Sequence, residues 1–259
     1  MLTIPRLLLI AAIGVLAGAS SPAAADSALS CRTADFRDVP YVVCTIDPRT
    51  AGLQLFWKNN DGRPFRTFTD VAASVAAGGK TLTFAMNAGM YTDDYAPLGL
   101  YIEDGHELRP VNTQDIKGPA GSIPNFYKKP NGVFYLDEAG AGIVSADVFV
   151  KRPKKVRFAT QSGPMLVIKG EFHPAFIVGS KDRTRRSGVG LCEDGLLRFA
   201  ISDAPVNFHD FAALFRDELK CDDALFLDGG RGAGVFIPVL DREDWSWHGG
   251  YGPMFGLVE

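Results

Sequence analysis

The sequence predicts an α+β protein: mixed, strand-rich sheets with a few flanking helices in a single domain. Three observations point there. Short apolar runs rich in β-branched and aromatic residues recur along the chain, and turn signals end them. One long segment, Phe208–Lys220, places apolar residues at helical spacing. Gly (28) and Phe (18) are plentiful, which suits many turns around a substantial core.

The opening of the 259-residue chain stands apart from that fold. Arg6 and the amino terminus give a small positive region, and Leu7–Ala17 is an uncharged apolar run. Ala23-Ala24-Ala25 then offers a small-residue cleavage site before Asp26. The run falls short of the roughly 20 residues a spanning helix needs. Residues 1–25 therefore read as a cleavable signal peptide, with an uncleaved anchor as the alternative, and 26–259 as the mature domain. A periplasmic or secreted location follows.

The mature chain begins its pattern with strands at Tyr41–Ile46 and Leu53–Trp57, joined through Asp47-Pro48. Asp70–Ala77 reads as a short helix, with Thr69 or Asp70 as N-cap and Gly78-Gly79 as its stop. Leu82–Met86 is a buried strand. Leu98–Glu103 and Glu107–Val111 flank the hairpin signal Asp104-Gly105. Gly132–Leu136, Val144–Val150, Val156–Thr160 and Pro164–Ile168 continue the strand pattern. Gly188–Cys192 and Leu196–Ile201 form a hairpin about Glu193-Asp194-Gly195. Asn207 can cap Phe208–Lys220, which sets Phe208, Phe211, Ala212, Phe215 and Leu219 on one face. Ala224–Leu227 runs straight into Asp228-Gly229-Gly230, and Gly234–Val239 and Met254–Val258 close the chain.

Composition removes several function classes. Lys and Arg (27) nearly balance Asp and Glu (30), which argues against nucleic acid or an anionic membrane as partner. No later run is long and apolar enough to span a bilayer. The basic stretch Lys151, Arg152, Lys154, Lys155 and Arg157 reads as a solvated turn. G-x-S-x-G, H-E-x-x-H and P-loop motifs are absent. Cys31, Cys44, Cys192 and Cys221 form an even set, which in an exported protein favours disulfides. Three connectivities are open; nearness in sequence favours Cys31–Cys44 and Cys192–Cys221, and one bridge with two free thiols is the alternative. Their spacing does not suit zinc. No cofactor is required. Asp93-Asp94 is the one candidate for calcium or another divalent ion, and a solvated turn explains it more simply.

Four segments carry side chains with chemistry. Asp228 ends an apolar strand and opens a glycine loop, a place where ligands meet sheets; the alternative is a plain turn. Arg183, Arg185 and Arg186 precede Ser187-Gly188-Val189-Gly190, and a guanidinium there can grip a phosphate; the alternative is surface charge. Asn87 and Gly89 follow a buried strand, and an amide suits sugar hydroxyls. Gln161 and Ser162 stand at another strand junction. Turn chemistry is the alternative for both pairs.

Seven of these segments occur in the order found in a known family. They are Phe84–Tyr91 (FAMNAGMY), Pro97–Gly105 (PLGLYIEDG), Pro130–Leu136 (PNGVFYL), Gln161–Val167 (QSGPMLV), Arg186–Gly190 (RSGVG), Val206–Leu219 and Ala224–Gly230 (ALFLDGG). From about Cys44 to Glu259 the chain resembles the phosphodiester glycosidases. An animal member removes N-acetylglucosamine from a sugar-1-phosphodiester. The resemblance implies a carbohydrate phosphodiester substrate, with Arg186 holding the phosphate and Asp228 serving as acid/base or stabilising charge at the anomeric carbon. Asn87, Gln161 and Ser162 would orient the sugar, and Gly89, Gly229 and Gly230 complete the substrate-binding set. Glu103, Asp203 and Asp223 are candidates for a second catalytic carboxylate, and Asp203 is preferred. The chain departs from the family pattern at Pro124-Asn125-Phe126-Tyr127, at Ser187 and in the added cation Arg231. The expected function is an exported hydrolase of glycosyl phosphodiesters. The alternatives are a non-catalytic periplasmic module binding phosphorylated glycans, and an envelope interaction protein with a degenerate site.

Overall fold

A computed structural model describes residues 1–2, 28–50, 52–151 and 155–259. Residues 3–25 of the signal peptide and part of the basic stretch (152–154) lie outside the described residues. Among the described residues the strands form three sheets around one shared core. The first has seven strands. They are β1 (Leu29–Phe36), β2 (Val39–Ile46), β10 (Met165–Ile168), β11 (Glu171–Phe172), β12 (Arg186–Cys192), β13 (Leu197–Ser202) and β14 (Cys221–Gly229). Their spatial order is β1-β2-β13-β12-β14-β10-β11. The second sheet orders β16 (Arg242–Glu243), β15 (Val235–Ile237), β4 (Leu82–Asn87), β17 (Met254–Val258) and β3 (Leu53–Phe56). The third orders β6 (His106–Arg109), β5 (Tyr101–Glu103), β9 (Val156–Ser162), β7 (Gly132–Asp137) and β8 (Gly140–Ser145).

Inward-facing aromatics lock the sheets together. Phe84 and Phe255 of the second sheet meet Phe199 of the first at ring separations of 5.2 and 5.0 Å. Phe255 also meets Phe134 of the third at 5.0 Å. All four rings are fully buried, and each contributes roughly 2–3 kcal/mol through its apolar area.

Each sheet has one helix on its outer face. Helix α1 (Phe68–Ala77) lays Phe68, Val71 and Val75 against the second sheet. Helix α2 (Ala146–Phe149) sets Phe149 against Tyr135 of the third. Helix α3 (Phe208–Ala213) runs into a wider turn, Leu214–Glu218, and covers the first sheet with Phe211 and Phe215. Those rings approach closely because β12 presents glycines beneath them. A Cβ on Gly188 would stand 3.1 Å from Phe211, and one on Gly190 2.7 Å from Phe215. The glycines of the Arg186–Gly190 segment therefore serve helix packing.

Sequence expectation and structure differ in four places. All strand pairings among the described residues are antiparallel, not mixed. The expected strand Val144–Val150 stops at Ser145, whose hydroxyl accepts from Val148 N and starts α2. The cap of α1 is Thr67, which accepts from Asp70 N at 3.0 Å. Strand β1, unmarked in the sequence pattern, pairs along its full length with β2. Both expected disulfides, Cys31–Cys44 and Cys192–Cys221, are formed. Asn207 caps α3 as expected, accepting from Asp210 N at 2.8 Å.

Candidate functional site

One strand from each sheet ends at the same place. These are β4 at Asn87, β9 at Gln161-Ser162 and β14 at Asp228-Gly229. Side chains knit the ends together. Ser162 Oγ donates to Leu227 O at 2.8 Å, tying β9 to β14. Gly89 N donates to Thr160 Oγ1 at 3.2 Å, tying the exit of β4 to β9. Asn87 Oδ1 accepts from Gly234 N at 3.0 Å, which fixes the far end of the glycine loop. Gln161 Oε1 accepts from Leu100 N and Asn112 N at 3.0 and 2.9 Å, and its Nε2 donates to Asn112 O at 2.8 Å. All three polar side chains are buried. They hold backbone in place, and Gly89 leaves room for it, because a Cβ there would collide with Gln161 O.

Asp228 stands at the centre of this junction. A β-bulge aims it. Ser187 pairs with Asp228, but Gly188 pairs with Phe226, so Leu227 is the extra residue. Ser187 Oγ lies 3.2 Å from Asp228 O and 3.3 Å from Asp228 N. Gly229 N donates to Asp228 Oδ1 at 2.7 Å. The loop then folds back over the carboxylate, and a Cβ on Gly232 would collide with it. Gly230 makes this reversal with φ +58 and donates its N–H to Arg185 O at 2.8 Å. Burial pushes the Asp228 carboxyl up to about 6, against the pull of the Gly229 N–H. Its charge is felt by Tyr91, whose hydroxyl is raised first by burial and then by Asp228.

Arg186 is not part of that cluster. It precedes Ser187, so its side chain leaves the opposite face of β12. The guanidinium lies 3.6 Å from the Phe208 ring centroid and 5.5 Å from that of Phe226. It donates from Nε to Val206 O at 2.9 Å and from Nη2 to Asp182 O at 3.3 Å. It is 1% exposed, and burial draws it down to about 10 against the pull of Asp182. Beside it, on the α3 side, opens a cleft of about 450 Å³ lined by Lys128, His173, Asp182 and Phe208.

The second-carboxylate candidates also lie elsewhere. Asp203 is gripped by Arg242 at 2.6 and 3.1 Å, in a cluster with Arg185 and Asp244. Glu103 accepts from the Tyr101 hydroxyl in the third sheet. Asp223 accepts from Lys169 N, and five residues of strand, about 17 Å, separate it from Asp228. Asp94 accepts from the Thr92 hydroxyl in a turn. Among the described residues no three His, Cys, Asp or Glu side chains gather as metal ligands. Tyr91 was missed. It stands inside the FAMNAGMY segment, but a tyrosine carries no spacing signal.

The fold built from these three antiparallel sheets is similar to that of solved structures. The zebrafish N-acetylglucosamine-1-phosphodiester alpha-N-acetylglucosaminidase catalytic domain, auto-inhibited by its pro-peptide, superposes with a TM-score of 0.60 over 88% of this chain and 81% of that one, at 16% identity. A hypothetical protein from Synechocystis does so with a TM-score of 0.53, over 88% of this chain and 61% of that one, at 15% identity. At such identities the likeness is one of fold. The sequence goes further: the chain belongs to the phosphodiester glycosidase family, whose profile matches residues 80–247. The uncharacterized protein YigE of Escherichia coli (strain K12) is 36% identical over 185 residues, which cover 71% of this chain and 70% of that protein.

Proposed function

We propose that this protein is an exported hydrolase that cleaves the glycosidic bond of sugar-1-phosphodiesters, with Asp228 as its catalytic carboxylate. The observation that carries the reading is Asp228 itself: a carboxyl raised by burial to about 6, held at a junction of three strand ends. In the reaction water bonds to the anomeric carbon, the bond from that carbon to the phosphate oxygen breaks, and the phosphate leaves as a monoester. A phosphate is a good leaving group and needs little protonation. The remaining demands are to take a proton from water and to steady positive charge at the anomeric carbon, and an ionised carboxylate meets both. The phosphate requires a cation. Arg231 is exposed on the loop that closes over Asp228, whereas Arg186 faces the other side of the sheet. We therefore assign the phosphate to Arg231.

Export rests on the leader reading of residues 1–25 and on two disulfides, which persist in oxidising compartments. No helix among the described residues is long and apolar enough to cross a membrane.

The test is hydrolysis of a panel of sugar-1-phosphodiesters by purified protein. Wild type should release free sugar and a phosphomonoester, Asp228→Asn should not, and Arg231→Ala should raise KM. An inert wild type, or an Asp228→Asn variant as active as wild type, overturns the reading.

A further inference from the structure

We propose that Trp245 and Trp247 form a stacking platform for a neutral glycan chain, extending the Asp228 site toward a polymeric substrate. This rests in part on the hydrolase reading, since it names the substrate class of that site. The two indoles are 73% and 81% exposed. Ser246 between them turns inward, donating to Gly250 O at 2.7 Å. Exposure alternates along this stretch, with Asp244 and Ser246 half-buried and Glu243, Trp245 and Trp247 exposed, so both indoles are turned out to solvent while the residue between them faces the protein.

The loop beneath them is fastened. Tyr95 Oη donates to His248 O at 3.1 Å, and Arg66 Nε donates to Gly249 O at 3.1 Å. Tyr91 Oη donates to Gly250 O at 3.0 Å. The loop is also tied to the carboxylate junction: Asp244, next to Trp245, accepts from Val235 N at 3.1 Å, beside the Gly234 that Asn87 holds at 3.0 Å. A rigid backbone carrying exposed indoles is pre-organised for a ligand, because little order remains to be imposed on binding.

The surroundings select the occupant. Trp245 borders a recess of about 400 Å³, whose rim includes Thr67, Thr69, Asp70, Glu243 and Ser246. Hydroxyls and carboxylates beside an aromatic face suit a sugar ring: its C–H face lies on the electron-rich indole and its hydroxyls reach the rim. The lining also holds Asp244 and one cation, Arg66, so three carboxylates outnumber it and disfavour an anionic ligand or an anionic lipid surface.

The experiment titrates chito-, cello-, malto- and mannohexaose into Asp228→Asn protein, following tryptophan fluorescence and calorimetric heat. Trp245→Ala and Trp247→Ala are made in the same background, with thermal melts confirming the fold. Binding of at least one hexaose, weakened tenfold or more by either substitution, is expected. No binding, or binding indifferent to both substitutions, overturns the proposal. So does a tryptophan-dependent association with phosphatidylglycerol vesicles or with a second copy of the chain without hexaose binding. Tryptophan-dependent hexaose binding, together with a wild type that hydrolyses no phosphodiester, would overturn the hydrolase reading and leave the platform standing.

Discussion

Arg186 and Asp228 are both ionisable groups set into the same sheet, one register step apart on neighbouring strands, yet they are treated in opposite ways. Arg186 is surrounded by acceptors: Val206 O, Asp182 O, the Asp182 carboxylate at 3.7 Å and the face of Phe208. Asp228 has the Gly229 N–H and a glycine loop closed over it, and its carboxyl is pushed up to about 6. A buried charge with its partners in place is scaffold. A carboxylate made costly to ionise has a free energy that substrate can use.

The comparison breaks most readily on activity. Asp228→Asn should lower turnover of a sugar-1-phosphodiester by about 100-fold or more, with the fold retained by circular dichroism. Arg186→Met should act on stability instead. It strands the acceptors around the guanidinium and should cost about 3 kcal/mol in urea denaturation; unchanged stability would place Arg186 outside the scaffold.

The third test exploits the sign of the Asp228 shift. Its folded pKa, about 6, lies above the ordinary 3.8. The stability this group contributes is therefore complete below about pH 4 and is lost as pH rises through 6. Asp228→Asn should match wild type near pH 4 and be more stable by up to about 3 kcal/mol at pH 8, read from melts at the two pH values. The smallest effect belongs to the clamps. Gln161→Ala should cost about 1–2 kcal/mol and lower turnover without moving the pH profile.

Much of this fold was legible because β-rich runs, Asp-Gly turns and the α3 period are local signals. Asp104-Gly105 and Asp194-Gly195 do turn hairpins, and the four cysteines pair by nearness. Strand β1 was missed because its burial follows no clean alternation and its partner does the ordering. At the site, Asp228 was readable from its strand-end glycine loop. The duties of its neighbours were not. Gln161 looks like a sugar ligand until Leu100 and Asn112, 61 and 49 residues away, claim its amide. Asp203 looks available until Arg242, 39 residues on, takes it. The facing of Arg186 depends on strand alternation and on the bulge that aims its neighbour, which no motif spells.

The most direct test of the central claim is the pH dependence of kcat/KM on a sugar-1-phosphodiester. If Asp228 works as a partly buried carboxylate, kcat/KM should rise between pH 5 and 7 with an apparent pKa near 6. A profile already flat at pH 5, or one that falls as pH passes 6, would contradict it.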